Sequence, residues 1–271
     1  MKKRAKKWLS GVLAVICIVS GGLYLGYVQD FRSGDDAYEA AMEAALQPQQ
    51  EEIIPAVSPE KTSDEPYWAP VPVTDDPNME EMAKKNLTSL RQTNEDVVAW
   101  IWIPDSRISY PVMQGEDNDF YLNHTWQKKE NAVGSIFLEH RNNPDLTDFN
   151  TILYGHNMND GSMFAAIRRY NTQWYWERHP YVYLVTEQGV FRYEVFSAYE
   201  SSTEGTAYGL SFHQSETKAT FLSTAIRLSA ADQGIRPELT DRVLTLSTCS
   251  GHGYSSRWVV HARLKMVQIS E

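Results

Sequence analysis

Val243-Leu244-Thr245-Leu246-Ser247-Thr248-Cys249 and, after a short loop, Arg257-Trp258-Val259-Val260-His261-Ala262-Arg263-Leu264-Lys265-Met266 decide how this chain folds. In the second stretch Trp258, Val260, Ala262, Leu264 and Met266 alternate with Arg257, Val259, His261, Arg263 and Lys265. A period of two is that of a strand with one face on a core and the other turned away from it. The first stretch behaves alike: Leu244 and Leu246 share one face, and Thr245, Ser247 and Cys249 the other. Cys249 is therefore expected at a strand end on the non-core side, where a thiol is open to a substrate.

Upstream, further strand candidates are Val98–Ile103, Ile108–Gln114, 134–139, Thr151–Gly155, Tyr181–Thr186 and Val190–Tyr199, most bounded by Pro, Gly, Asn or Asp, with Gln188-Gly189 as a hairpin turn. Short helices are expected at Asn118–Asn123, Ser162–Tyr170 (with Ser162 as N-cap) and Ser215–Leu228. Met79, Met82, Ala83, Leu87 and Leu90 recur at helical spacing, predicting one amphipathic helix from Met79 to Asn94. The fold class is mainly β, eight strands with local helices in a closed or nearly closed barrel.

The chain of 271 residues divides into four parts. Residues 1–7 hold five of its 25 Lys and Arg and read as a cytoplasmic basic tail. Residues 8–28 are uncharged and long enough to span a bilayer as a helix of about 20 residues, longer than the apolar core of a cleavable signal. Residues 29–77, with seven prolines and many acids, read as an extracytoplasmic spacer in which Asp36–Leu46 forms a short helix. Residues 78–271 have the composition of one globular domain. Outside the basic tail, 20 Lys and Arg face 35 Asp and Glu, which argues against a nucleic-acid partner.

There are two cysteines. Cys17 lies in the apolar segment and reads as a packing residue. An unpaired thiol on the oxidising side of a membrane is either buried and inert or kept for its reactivity. A catalytic thiol needs a proton-accepting or cationic neighbour, and a carbonyl under attack needs a donor for its developing charge. His156, just past a strand in Tyr154-Gly155-His156-Asn157-Met158, and Arg257 are the candidates. Each alone has a blander reading: a buried strand cysteine, a loop histidine, a solvated arginine. His252 lies in a Gly-flanked loop, and His261 falls on the outward face of the last strand. His124, His140, His179 and His213 lack metal-ligand spacing, so no zinc site is expected, and nothing else in the chain implies a metal or an organic cofactor.

Together, Thr245-Leu246-Ser247-Thr248-Cys249, Arg257-Trp258-Val259-Val260-His261-Ala262-Arg263-Leu264 and Leu153-Tyr154-Gly155-His156-Asn157-Met158 resemble the sortase family. The stretches Trp100-Ile101-Trp102-Ile103-Pro104, Tyr110-Pro111-Val112-Met113-Gln114-Gly115, Asp117-Asn118-Asp119-Phe120-Tyr121-Leu122-Asn123-His124 and Gly134-Ser135-Ile136-Phe137-Leu138 are similar to its class B, over about Asn94 to Met266. The resemblance implies an eight-stranded barrel on a membrane-anchored cysteine transpeptidase of Gram-positive bacteria, outside the cell with its N-terminus cytoplasmic. It implies Cys249 as nucleophile, His156 as general acid/base, Arg257 as stabiliser of substrate backbone and oxyanion, and Thr248 as an assisting substrate-binding residue. It further implies cleavage after Thr in a C-terminal sorting motif of surface proteins, and transfer of the acyl group to a peptidoglycan precursor amine. A pilin-polymerising sortase, a cell-wall cysteine peptidase and a non-catalytic membrane-tethered binding module are the alternatives. The loop Ser250–Ser256 has no acidic residue, and the partner that orients His156 is left unassigned.

Overall fold

The computed structural model of the chain describes residues 2–47, 76–253 and 255–269. Among these, eight strands form the barrel: β1 (Val97–Trp102), β2 (Ser109–Met113), β3 (Ile136–Leu138), β4 (Asn150–Tyr154), β5 (Tyr181–Thr186), β6 (Gly189–Ser202), β7 (Val243–Cys249) and β8 (Ser256–Ile269). They close in the order β1-β2-β3-β4-β7-β8-β6-β5. All eight were expected, the last two from their alternation and the others from β-rich runs between turn residues, with ends shifted by a few residues. The β4–β7 and β2–β3 pairs are parallel and the others antiparallel.

Every strand contributes to one interior cluster, through Ile101, Val112, Ile136, Leu153, Leu184, Val195, Leu246 and Val260. The outer faces are covered as well. On one side Trp100, Met113, Phe137 and Tyr183 are buried beneath three helices: α1 (Lys2–Ala45), α2 (Pro77–Ala83) and α3 (Leu87–Thr93). On the other, Phe196, Tyr199, Val243 and Val259 pack under Phe221, Leu222 and Ala225 of a further helix, Ser215–Leu228. This second cover corrects the expected outward polar face of β8: Val259 and His261 are fully buried. It also buries Thr245 and Ser247 of β7, leaving Cys249 exposed at the end of that face.

The predicted helix from Met79 to Asn94 is two helices. Asn86 breaks it: its side chain accepts from Ser89 N at 3.1 Å to cap α3, and its own N–H donates to the Ala45 carbonyl at 2.8 Å. The expected helix Ser162–Tyr170 is a 3₁₀ turn, Ala165–Asn171, and Ser162 does not cap it; its hydroxyl donates to Asp160 Oδ1 at 2.7 Å. Likewise Asn118–Asn123 is a 3₁₀ turn, Phe120–Leu122. Two elements were not anticipated, the helix Gln173–Arg178 and the 3₁₀ turn Thr206–Tyr208.

The spacer expected over 29–77 also needs correction. Ala37, Ala41 and Ala45 recur every four residues and are buried against the domain, as a small-residue stripe that lets the helix approach closely. Trp126 Nε1 donates to the Ala37 carbonyl at 2.6 Å, and Asn131 Nδ2 to that of Asp30 at 2.8 Å. The second half of α1 is thus part of the folded body, while residues 48–75 lie outside the described residues. The segment 8–28 continues α1, and the environment of its side chains before Val19 lies outside the described residues too. Among the described residues no helix is long and apolar enough to cross a membrane.

Candidate active site

The order β4-β7-β8 brings three distant parts of the sequence to one barrel end. Because β4 and β7 run parallel with Tyr154 opposite Ser247, the residues leaving β4 sit beside the last residues of β7. Gly155 N donates to the Ser247 carbonyl at 3.1 Å, and the Thr248 hydroxyl donates to the Gly155 carbonyl at 2.7 Å. These bonds pin the backbone immediately before His156 to the backbone immediately before Cys249. On the other flank β8 runs antiparallel, with Cys249 directly opposite Arg257. Cys249, His156 and Arg257 accordingly line one open cleft of about 430 Å³.

Thr248 borders the cleft, but its side chain is buried and its hydroxyl hydrogen is committed to Gly155. The structure thus gives Thr248 a part in locking two loops together. Gly155 has no room for a side chain: a Cβ there would meet Ile136 Cδ1 at 2.4 Å and Phe164 at 2.8 Å. Its glycine lets β4 exit tightly enough to deliver His156.

The partner of His156 is a main-chain group. Its Nε2 lies 2.6 Å from the carbonyl oxygen of Leu122, on the 3₁₀ turn that follows Asn118. A carbonyl only accepts, so Nε2 carries a hydrogen and Nδ1 is the nitrogen left to exchange a proton. No sequence pattern marks a backbone carbonyl as a ligand, which is why Leu122 escaped notice. Arg257 Nη1 donates to the Ser256 carbonyl at 3.1 Å. The Tyr208 phenol is pushed up by burial, partly offset by its bond with Ser247 and by the nearby Arg257 charge. Its hydroxyl is 2.8 Å from Ser247 Oγ, and its ring stacks on Tyr154 at 6.3 Å.

His252 is not part of the cleft. It faces Glu200 of β6, Nδ1 to Oε1 at 3.0 Å, and is largely exposed. Hydrogen bonds from Ser256, Ser250 and His252 hold the Glu200 carboxyl down to about 2. A neighbouring strand thereby supplies the acidic anchor that the Cys249–Arg257 loop itself lacks. His261 is buried and neutral, its pKa lowered to about 3 by desolvation. Among the described residues no cluster of His, Cys, Asp and Glu has the make-up of a metal site.

A family model for the sortase domain matches residues 101–265. Sortase B of Listeria monocytogenes is 37% identical over 175 residues, 64% of this chain and 70% of that protein. Among solved structures, a Staphylococcus aureus sortase B–substrate complex superposes with a TM-score of 0.64 at 33% identity, covering 67% of this chain and 85% of that one. A sortase B complexed with triglycine gives 0.64 at 33% identity, over 67% and 86%.

Proposed function

The chain belongs to the sortase family, class B, and from that premise we propose that it cleaves a C-terminal sorting motif after Thr and passes the acyl group to a peptidoglycan amine through a thioacyl-enzyme on Cys249. The observation that carries the reading is the placement of His156 and Arg257 on opposite flanks of an exposed thiol in one open cleft.

In the first half-reaction the Cys249 thiolate attacks the Thr carbonyl carbon and the oxygen takes up negative charge. The Arg257 guanidinium, always charged and forked, faces that oxygen and the substrate backbone. The C–N bond then breaks as the His156 imidazolium gives its Nδ1 proton to the leaving amine. In the second, an incoming amine loses a proton to His156, attacks the thioester carbon and expels the thiolate. Water in place of the amine gives hydrolysis. The relatives solved with substrate and with triglycine support an acyl donor and an amine acceptor of this kind.

The anchor belongs to the same proposal. Val19, Leu23, Tyr24 and Leu25 stand exposed and apolar on α1 before it meets the domain. We read residues 8–28 as a single span with residues 1–7 cytoplasmic and the cleft outside the cell. Protease added to intact cells should then digest the domain and spare the tail.

The test of the chemistry is mass spectrometry of the chain with a sorting peptide, with and without triglycine. A thioacyl adduct on Cys249 and a peptide–triglycine product are expected, and both should vanish in Cys249→Ala. Hydrolysis without ligation would make the protein a cysteine peptidase, ligation only to a protein lysine a pilin polymerase, and no adduct a binding module.

A further inference from the structure

Beneath the cleft wall lies a carboxylate that the reaction does not use. Glu139, just beyond β3, has a side chain only 1% exposed. A buried carboxylate persists as an anion only when donors surround it. Its Oε2 accepts from Asn118 Nδ2 at 2.7 Å and from the Tyr154 hydroxyl at 3.0 Å. Its Oε1 accepts from Arg141 Nε at 2.7 Å, and His140 Nδ1 is 3.1 Å away. Burial pushes this carboxyl up, but the bonds from Arg141, Asn118 and Tyr154 outweigh it and leave the group below its ordinary value.

The two donors on Oε2 are both cleft-lining residues. A carboxylate cannot donate, so the Asn118 group facing it is the nitrogen. The amide oxygen is taken by His140 N at 3.0 Å. Neither end of the amide can turn over. By the same logic the Tyr154 hydrogen points at Glu139 and away from the cleft. What remains for a substrate is one N–H from Asn118 and a lone pair from Tyr154, the complement of a peptide C=O and N–H.

We propose that Glu139 is a positioning residue for substrate binding: from beneath the cleft it sets Asn118 as donor and Tyr154 as acceptor for the main chain of the sorting peptide. The peptide substrate rests on the transpeptidase reading; the locking of Asn118 and Tyr154 does not.

The test compares wild type with Glu139→Gln, which keeps the size but replaces one acceptor oxygen by a donor. In the full chain in detergent, KM for a sorting peptide should rise about tenfold with kcat within about twofold, as expected for loss of one hydrogen bond to a charged group. In an Asn118→Ala/Tyr154→Phe background the same substitution should change KM less than about twofold, because its effect runs through those two side chains. An undiminished effect in that background, or an unchanged KM, overturns the proposal. Should Glu139→Gln not fold, Glu139→Asp retains the buried charge but withdraws it by one methylene, and must raise KM likewise; a wild-type KM there overturns the idea. A second readout needs no turnover. Glu139, Arg141 and Tyr208 are the titratable groups that act on the Tyr154 phenol, which burial and then Glu139 push up. NMR of the tyrosine- and asparagine-labelled protein should show the Tyr154 ring and Asn118 side-chain amide resonances move in Glu139→Gln, and unmoved resonances count against Glu139 even in a protein without transpeptidase activity.

Discussion

His156 Nε2 and the carbonyl oxygen of Leu122 lie 2.6 Å apart, and Gly134 is wedged against both. A Cβ on Gly134 would sit 2.6 Å from that oxygen and 3.0 Å from His156 Cδ2, and the residue's φ of +61° is one that L side chains rarely adopt. Gly134→Ala is therefore expected to displace the imidazole and lower kcat/KM about 10²-fold, the scale of a small misplacement of a reacting group. Alkylation of the Cys249 thiol compared with peptide turnover checks this; turnover at the wild-type rate would refute it.

Arg257 stands opposite Cys249 in the β7–β8 ladder. Arg257→Lys keeps a charge there but loses the fork of donors. kcat/KM should fall about 10²–10³-fold while the thermal midpoint stays within a few degrees. Equal activity of the two enzymes would remove Arg257 from the oxyanion role.

His261 is a buried neutral imidazole in a chain of polar contacts. Thr245 Oγ1 donates to Asn150 Oδ1 at 2.6 Å, so His261 Nδ1–H, 2.8 Å from Thr245 Oγ1, is the donor to that oxygen, and Nε2 faces the Tyr199 hydroxyl at 3.2 Å. In the unfolded chain the ring takes up its proton at about pH 6.5, whereas burial delays this to about 3 in the native state. Between those values the unfolded state binds more protons. The contribution to stability is complete above about pH 6.5 and is lost as pH falls toward 3, at about 1.4 kcal/mol per unit. Denaturant midpoints across pH should show this slope, reduced in His261→Gln; identical slopes would contradict it.

The stripe Ala37, Ala41, Ala45 covers Met79, Met82, Leu90 and Trp126. Deleting residues 1–29 should leave the thermal midpoint within about 2 °C, since the helix from Asp30 onward keeps its contacts. Deleting 1–47 exposes several large side chains at about 1.5–3 kcal/mol each and should lower it by roughly 10 °C or more. Scanning calorimetry distinguishes the two, and equal midpoints would mean that the helix adds nothing to the domain.

The barrel was legible because its last two strands alternate in sequence and the others are short apolar, β-rich runs bounded by Pro, Gly, Asn or Asp, signals that need no knowledge of their neighbours. Cys249, His156 and Arg257 were legible as candidates for a different reason: each alone has a bland reading, and only the motifs around them, taken together, resemble a family that gives them roles. Leu122 was not, since the group that matters is a carbonyl that every residue has. Glu139 and Glu200 were not, because an acid in sequence looks solvated until its donors are seen. His261 was assigned to an outward face, and that failed because period two tells which residues share a face and not whether a helix covers it.

What the chain by itself determined is local: strand periods, turn glycines, the chemical types that can attack, protonate and stabilise. Only the tertiary structure decided which of them meet. The closure order β4-β7-β8 places His156 and Arg257 on either side of Cys249 although about a hundred residues separate the first from the last. It does so because a parallel and an antiparallel neighbour can share one central strand, and hydrogen-bond register fixes which residues end opposite one another.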